Sequence, residues 1–151
     1  MIDRHEILRT TFQQDGDHAV QLIAPATAFS LQVQALDHAP GADLEPLLKR
    51  QVEEETQRPF DLEKGPLLRV KLLRLASREH ALVLTLHHSI ADGWSMPIIV
   101  DELIQGYEAS RSGQSAQRPA LPIQYADYAI WQRDWMEAGE QERQLAYWQA
   151  R

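Results

Sequence analysis

The chain has 151 residues, of which 44% are hydrophobic and 25% charged, as is typical of one ordinary globular domain. Its 15 lysine and arginine residues are outnumbered by 22 aspartate and glutamate residues, which gives a net charge of −7 and disfavours a nucleic-acid partner. The chain has no cysteine, which excludes disulfides, zinc–thiolate sites and a cysteine nucleophile. No apolar run approaches the roughly 18 residues of a membrane span, and no secretion signal opens the chain, so we expect a cytoplasmic protein.

The first 110 residues alternate between helical and strand patterns. In chain order, the periodicity predicts a short helix at 2–11, strands at 19–24 and 29–36, a helix at 44–58, and strands at 67–75 and 81–87. Pro59 ends the helix at 44–58, because the residue before a proline is pushed out of the helical conformation.

A polar turn after the last strand leads into another helix. Ser95 is a plausible N-cap, and Pro97 falls in the first turn, where its missing N–H costs least. Apolar residues then recur at intervals of three and four and form one stripe of an amphipathic helix. The stripe consists of Met96, Ile99, Val100, Leu103, Ile104 and Tyr107.

Residues 110–122 are rich in serine, glycine and proline and predict a surface loop. Beyond it, residues 125–136 and 140–150 have helical patterns. Large aromatic residues in these two helices need a surface to pack against: Tyr128, Trp131, Trp135, Tyr147 and Trp148.

Two adjacent histidines stand where the last strand meets the polar turn. Alternate side chains of a strand point to opposite faces, so His87 and His88 should have different roles. His88 is the better catalytic candidate, because it is at the edge of the loop and imidazole titrates near physiological pH. A single histidine at a strand end is more often structural, but the neighbouring acid and glycine favour a functional interpretation.

Asp92 and Gly93 complete this cluster. Asp92 could orient an imidazole or pair with an arginine elsewhere, and Gly93 would let a substrate approach closely; the two together are also typical of an ordinary turn. A metal site is disfavoured because adjacent strand histidines diverge. A serine hydrolase is disfavoured because the chain has no G-x-S-x-G sequence.

Four blocks of the sequence resemble, in the same order, the motifs of condensation domains from nonribosomal peptide synthetases. They are RHEILRTTF at 4–12, PFDL with GPLLR at 59–69, HHSIADGWS at 87–95 and YADYAIWQ at 125–132. The HHxxxDG pattern alone is shared by related acyltransferases. Because four blocks in the family's order are spread across nearly the whole chain, it is identified as a member of the condensation domain family.

The resemblance implies an α+β or α/β sandwich like a lobe of chloramphenicol acetyltransferase, with a mixed sheet and flanking helices. Complete domains have two such lobes with the active site at their junction. The implied reaction is amide formation between thioesters on the phosphopantetheine arms of upstream and downstream peptidyl carrier proteins. The adenylation domain of the same synthetase is a further implied partner, and no cofactor is bound directly.

By this resemblance, His88 either deprotonates the attacking amine or positions it. Asp92 is implied to be structural and paired with an arginine, for which Arg4 and Arg9 are the candidates. The motif also includes His87, Gly93, Trp94 and Ser95, and the Trp94-Ser95 pair favours domains that join two L-residues.

Complete condensation domains are roughly three times this long, which agrees with two lobes rather than one core. We therefore expect residues 1–151 to be a partial domain, most of the N-terminal lobe. In it, 110–122 is a surface loop and 123–151 a helical segment leading towards the absent C-terminal lobe. We expect this chain alone to be inactive. Three alternatives are an epimerisation domain, a stand-alone acyltransferase using coenzyme A, and a non-catalytic carrier-docking fragment.

Overall fold

A computed structural model describes residues 1–36, 43–115 and 118–151. In chain order the elements are β1 (Thr10–Asp15), β2 (His18–Ile23), β3 (Gln32–Ala35), α1 (Glu45–Gln57), β4 (Leu68–Arg74), β5 (His80–Leu86), α2 (Ser95–Arg111), α3 (Tyr125–Trp135) and α4 (Gln141–Gln149). A 3-10 turn at Glu6–Arg9 precedes β1, and a kinked turn at Met136–Glu140 joins α3 to α4.

The five strands of the described residues form two sheets. Strands β1 and β2 make an antiparallel hairpin that pairs Thr10 with Ile23 and Asp15 with His18. The second sheet has the order β3-β4-β5, in which β3 runs parallel and β5 antiparallel to the central β4. The predicted mixed sheet with flanking helices is therefore confirmed.

The two faces of the three-stranded sheet are covered differently. On one face, Leu68 joins Leu8, Leu67 and Ile90 in the main hydrophobic core, and Leu84 and Leu86 of β5 pack against this cluster. On the other face, α1 contacts β5, and its Glu55 carboxylate reaches Arg69 and Lys71 of β4. Because side chains alternate along a strand, the chain leaves β5 with Leu86 packed against the core and His87 on the face of α1.

The structure corrects the predicted helix at 2–11. Only Glu6–Arg9 is helical, as a 3-10 turn, and Thr10 already begins β1. The physical reason is that Thr10, Thr11 and Phe12 are β-branched or aromatic residues that favour a pleated strand and find a partner in β2.

Helix α2 differs from the prediction in its length and in the face that it buries. It continues to Arg111, so its last two residues fall within the predicted loop 110–122; residues 116 and 117 of that loop lie outside the described residues. Ile99 and Glu102 are its buried residues, whereas four members of the predicted apolar stripe are exposed: Met96, Val100, Ile104 and Tyr107. The helix is turned this way because Glu102 faces cationic side chains of neighbouring segments.

The aromatic residues of α3 and α4 are exposed to solvent. The four aromatic residues of α3 form a continuous row, which consists of Tyr125, Tyr128, Trp131 and Trp135. Trp131 and Trp135 stack with their ring centroids 5.8 Å apart. Trp131 is 57% and Trp148 67% exposed.

Candidate active site

The two histidines lie at the start of a tight turn that is anchored on both sides. The His87 N–H donates to the carbonyl of Leu67 at 3.0 Å, which extends the pairing of β4 and β5 by one step. The Ile90 N–H donates back to the His87 carbonyl at 3.0 Å, and Ile90 is buried in the core. His88 and Ser89 therefore occupy the two corner positions of a hydrogen-bonded β-turn.

His87 is held by the turn itself. Its Nδ1 accepts a hydrogen bond from the Ser89 N–H at 3.1 Å and lies 2.9 Å from Ser89 Oγ. Since a backbone N–H can only donate, this geometry assigns the proton of the neutral ring to Nε2. The ring of Phe60 packs against it at right angles, with centroids 5.6 Å apart and an interplanar angle of 75°.

His88 has a different environment. Its side chain is exposed at the corner of the turn, and no other side chain among the described residues hydrogen-bonds to its ring. An imidazole in this position is open to an incoming ligand and can exchange a proton with it.

Asp92 and Ser95 form a reciprocal cap at the start of α2. Asp92 Oδ1 accepts from the Ser95 N–H at 2.9 Å and from Ser95 Oγ at 2.7 Å, and Ser95 Oγ accepts from the Asp92 N–H at 3.2 Å. The hydrogen bonds from the Ser95 side chain and backbone lower the pKa of Asp92 below its ordinary value. Ser95 is thus the first residue of the helix rather than its N-cap, and Asp92 supplies the capping acceptor.

The expected pairing of Asp92 with Arg4 or Arg9 is wrong in this structure. Arg4 pairs with Glu102, and Arg9 pairs with Glu6 at 3.2 Å and donates to the Ala24 carbonyl. Asp92 is exposed and its hydrogen bonds are local, so it has no buried charge that would require an arginine.

Gly93 and Trp94 lie between Asp92 and the first residue of α2. A Cβ atom built on Gly93 would meet nothing within 4 Å, so no contact within the described residues requires glycine there. Trp94 is 89% exposed. Gly93 leaves room beside the motif, as an approaching substrate would need.

Sequence reasoning missed Glu102, the most strongly buried acid of the region, with a side chain only 4% exposed. Its Oε1 contacts Arg4 Nη1, His5 Nε2 at 2.9 Å and Arg118 Nη1 at 3.2 Å, while its Oε2 has no hydrogen-bond partner among the described residues. Burial alone would raise the pKa of Glu102. The hydrogen bond from His5 and the charges of His5, Arg4 and Arg118 outweigh burial and lower it.

The Glu102 cluster joins three parts of the chain. Arg4 lies in the RHEILRTTF block at 4–12 (the RHE block), Glu102 in α2 and Arg118 in the segment before α3. Gln124 adds a further link, because its side-chain amide donates to the Arg4 carbonyl at 3.0 Å and accepts from the Glu6 N–H at 3.2 Å. The sequence offers one weak signal: Glu102 follows Ile99 by three residues, so the two share a face of the predicted helix.

The comparisons with known proteins agree with the motifs. A family model described as Condensation domain matches residues 1–151. A linear gramicidin synthase protein of Brevibacillus parabrevis is 48% identical over 151 residues, which are 100% of this chain and 2% of that protein. Cyclosporin synthetase simA of Tolypocladium inflatum is 41% identical over 152 residues, covering 97% of this chain and 1% of that protein.

Solved structures show the same fold. The X-domain from teicoplanin biosynthesis, solved in complex with OxyB, superposes with a TM-score of 0.84 at 33% identity, over 99% of this chain and 32% of that one. The epimerization domain from the third module of tyrocidine synthetase B superposes with a TM-score of 0.75 at 25% identity, over 97% of this chain and 33% of that one. The chain belongs to the condensation domain family, and the predictions of family and of fold class are confirmed.

Metal centres and membrane-spanning helices are both missing from the described part of the chain. Across 1–36, 43–115 and 118–151, no three histidine, aspartate or glutamate side chains gather as a set of metal ligands. None of the helices in the same ranges combines the length and the hydropathy that a bilayer crossing requires.

Proposed function

We propose that this chain supplies the histidine motif of a condensation domain that forms amide bonds in a nonribosomal peptide synthetase. The observation that carries the proposal is the position of His88, exposed at the corner of a turn whose two ends are fixed by backbone hydrogen bonds. The chain spans 2% of the linear gramicidin synthase protein and about a third of the solved domains, so the activity is that of a larger protein.

The proposed reaction joins two carrier-bound substrates. The amine nitrogen of the downstream aminoacyl thioester attacks the carbonyl carbon of the upstream acyl or peptidyl thioester. A C–N bond forms, the C–S bond breaks, and the upstream phosphopantetheine thiol leaves with the proton that the amine loses. His88 either takes that proton during attack or holds the amine in line with the carbonyl, and both roles require the open imidazole at the turn.

The partners follow from this chemistry. The upstream and downstream peptidyl carrier proteins deliver the substrates on flexible arms, and the adenylation domain of the same synthetase loads the downstream carrier. A second lobe would enclose the side of the turn where His88 is exposed. With that side open to water, the chain by itself should not bring amine and thioester together.

The test is His88→Ala in a complete condensation domain that contains this sequence. Single-turnover transfer between two loaded carriers should slow by about tenfold to a hundredfold, the range of general-base and positioning contributions. His80→Ala is the matched control, since His80 is an exposed histidine at the opposite end of β5 and its loss should leave the rate within twofold.

Three outcomes would contradict the proposal. A His88→Ala rate within twofold of wild type would remove His88 from the active site. Exchange of the substrate α-proton with solvent, without amide formation by the wild-type domain, would identify an epimerisation domain instead. Turnover by the 151-residue chain without a second lobe would refute the need for an enclosed site.

A further inference from the structure

Arg69 of β4 is a buried cation directly behind the histidine motif. Its side chain is only 10% exposed and its guanidinium donates to three backbone carbonyls. Nη1 bonds to the Pro59 carbonyl at 3.2 Å, and Nη2 bonds to those of Glu55 and Arg58 at 2.8 and 2.9 Å. These carbonyls end α1 and begin the PFDL segment, so one side chain fixes how the chain leaves the helix.

Glu55 holds this guanidinium in place. Its carboxylate is buried and lies 3.2 Å from Arg69 Nε, without the alignment of a hydrogen bond. It also contacts Lys71 Nζ at 2.8 Å and Arg58 Nη2 at 3.5 Å. The hydrogen bond from Lys71 is the largest cause of the lowered pKa of Glu55, so the acid stays charged opposite the three cations.

Phe60 contacts both Arg69 and His87 and so links the Arg69 guanidinium to the histidine motif. The Arg69 Cζ atom lies 3.8 Å from the centroid of the Phe60 ring, in cation–π geometry. The same ring packs edge-on against His87. Arg69, Phe60 and His87 therefore form one stack that runs from the end of α1 to the turn.

We propose that Phe60 and Arg69 are positioning residues for His88. They fix the ring of His87 so that its Nδ1 faces the Ser89 N–H, and this hydrogen bond shapes the turn on which His88 sits. Because the His88 side chain has no partner of its own among the described residues, its position depends on its neighbours. The kinetic part of this inference rests on the proposed function; the tautomer of His87 does not.

The kinetic test compares Phe60→Leu, Phe60→Tyr and Arg58→Gln in the complete domain. Phe60→Leu should lower the single-turnover rate about tenfold, with the KM for the downstream carrier unchanged, since misplacing a reacting group costs rate rather than binding. Phe60→Tyr keeps the ring and should restore the rate to within twofold. Arg58→Gln is the matched control, because Arg58 contacts the same Glu55 carboxylate but is not part of the stack.

The structural test records the ring nitrogens of His87 by NMR in ¹⁵N-histidine-labelled protein. The wild type should show a single tautomer with the proton on Nε2, and Phe60→Leu should show a mixture of the two. If Phe60→Leu does not fold, Arg69→Lys takes its place, since lysine keeps the charge but cannot bond three carbonyls at once.

Each outcome decides the inference. A slower rate together with a tautomer mixture supports it, and an unchanged rate or an unchanged tautomer in Phe60→Leu overturns it. A rise in KM with an unchanged rate also overturns it, because the residue would then act in carrier binding. If the wild-type domain forms no amide, the proposed function fails, while the tautomer still decides whether Phe60 holds His87.

Discussion

Replacing Glu102 by glutamine should destabilise the fold far more than the same replacement at an exposed acid of α2. The carboxylate is the common acceptor of Arg4, His5 and Arg118. Glutamine has the same shape but no charge, and its amide N–H₂ group would face cationic donors. The variant therefore leaves three donors without the charge that holds them together.

The magnitude follows from burial. Removing one partner of a buried ion pair costs about 3–5 kcal/mol. The side chain of Glu102 is 4% exposed, but those of Arg4, His5 and Arg118 are 23%, 21% and 20% exposed. Because these three side chains can regain part of their hydration, we expect Glu102→Gln to lower the free energy of unfolding by about 3 kcal/mol, the lower limit of that range. For a chain of this length, that loss lowers the Tm by about 6–12 °C.

The pH dependence of the stability loss provides a second test of the role of Glu102. The pKa of Glu102 is lowered in the folded chain below its ordinary value of 4.5. Its contribution is therefore complete above pH 4.5 and is lost as the pH falls through the lowered pKa. Urea unfolding of the wild type and Glu102→Gln should differ most at neutral pH, and the difference should shrink below pH 4.5.

Glu108→Gln is the control, since Glu108 lies on the same helix and is exposed. It should change the free energy of unfolding by no more than about 0.5 kcal/mol. A Glu102→Gln loss as small as that of the control, or one that does not change with pH, would refute the reasoning from the buried cluster.

Two further predictions concern local backbone structure. Asp92→Ala and Ser95→Ala should each lower the Tm, and the double variant should lose no more than the larger single loss, because both remove the same reciprocal cap; additive losses in thermal denaturation would contradict this. Gly65→Ala should destabilise the chain by at least about 1–2 kcal/mol, because Gly65 has a φ of +61° and an added Cβ would lie 2.8 Å from Thr11 Cγ2. Gly106→Ala, in open space on α2, should instead gain about 0.5–1 kcal/mol, and urea unfolding that ranks these two variants equally would contradict the prediction.

The elements that the sequence predicted well are those whose pattern is local. Strands β4 and β5 lie within a residue or two of their predicted bounds, because β-branched and leucine-rich runs bounded by polar turns have one interpretation. The motif blocks identified the family for the same reason. Their residues are adjacent in the chain, and no knowledge of distant contacts is needed to read them.

The buried face of α2 and the stack behind His87 depend on long-range contacts, whereas the partner of Asp92 is local. The buried face of α2 depends on Glu102 meeting Arg4 and Arg118, which periodicity within the helix cannot reveal. The partner of Asp92 was misassigned because an exposed acid at a helix start caps its own helix, a local solution that a buried pair with an arginine would have to displace. The stack behind His87 brings together three separate positions. The register of β4 and β5 places Arg69 and His87 on one face of the sheet, and the Arg69 hydrogen bond to the Pro59 carbonyl fixes the segment that carries Phe60.

The link through Gln124 also has a consequence for biosynthesis. Its amide bonds the backbone of Arg4 and Glu6, which are 120 and 118 residues away. A ribosome adds about 5–20 residues per second, so roughly 6–24 s pass between the synthesis of Arg4 and that of Gln124. During this interval Leu8 can already pack with Leu67, Leu68 and Ile90, but the Arg4 carbonyl and the Glu6 N–H lack their bonds to Gln124. Translational pausing before residue 124 would lengthen the time for which these two backbone groups have no partner from Gln124.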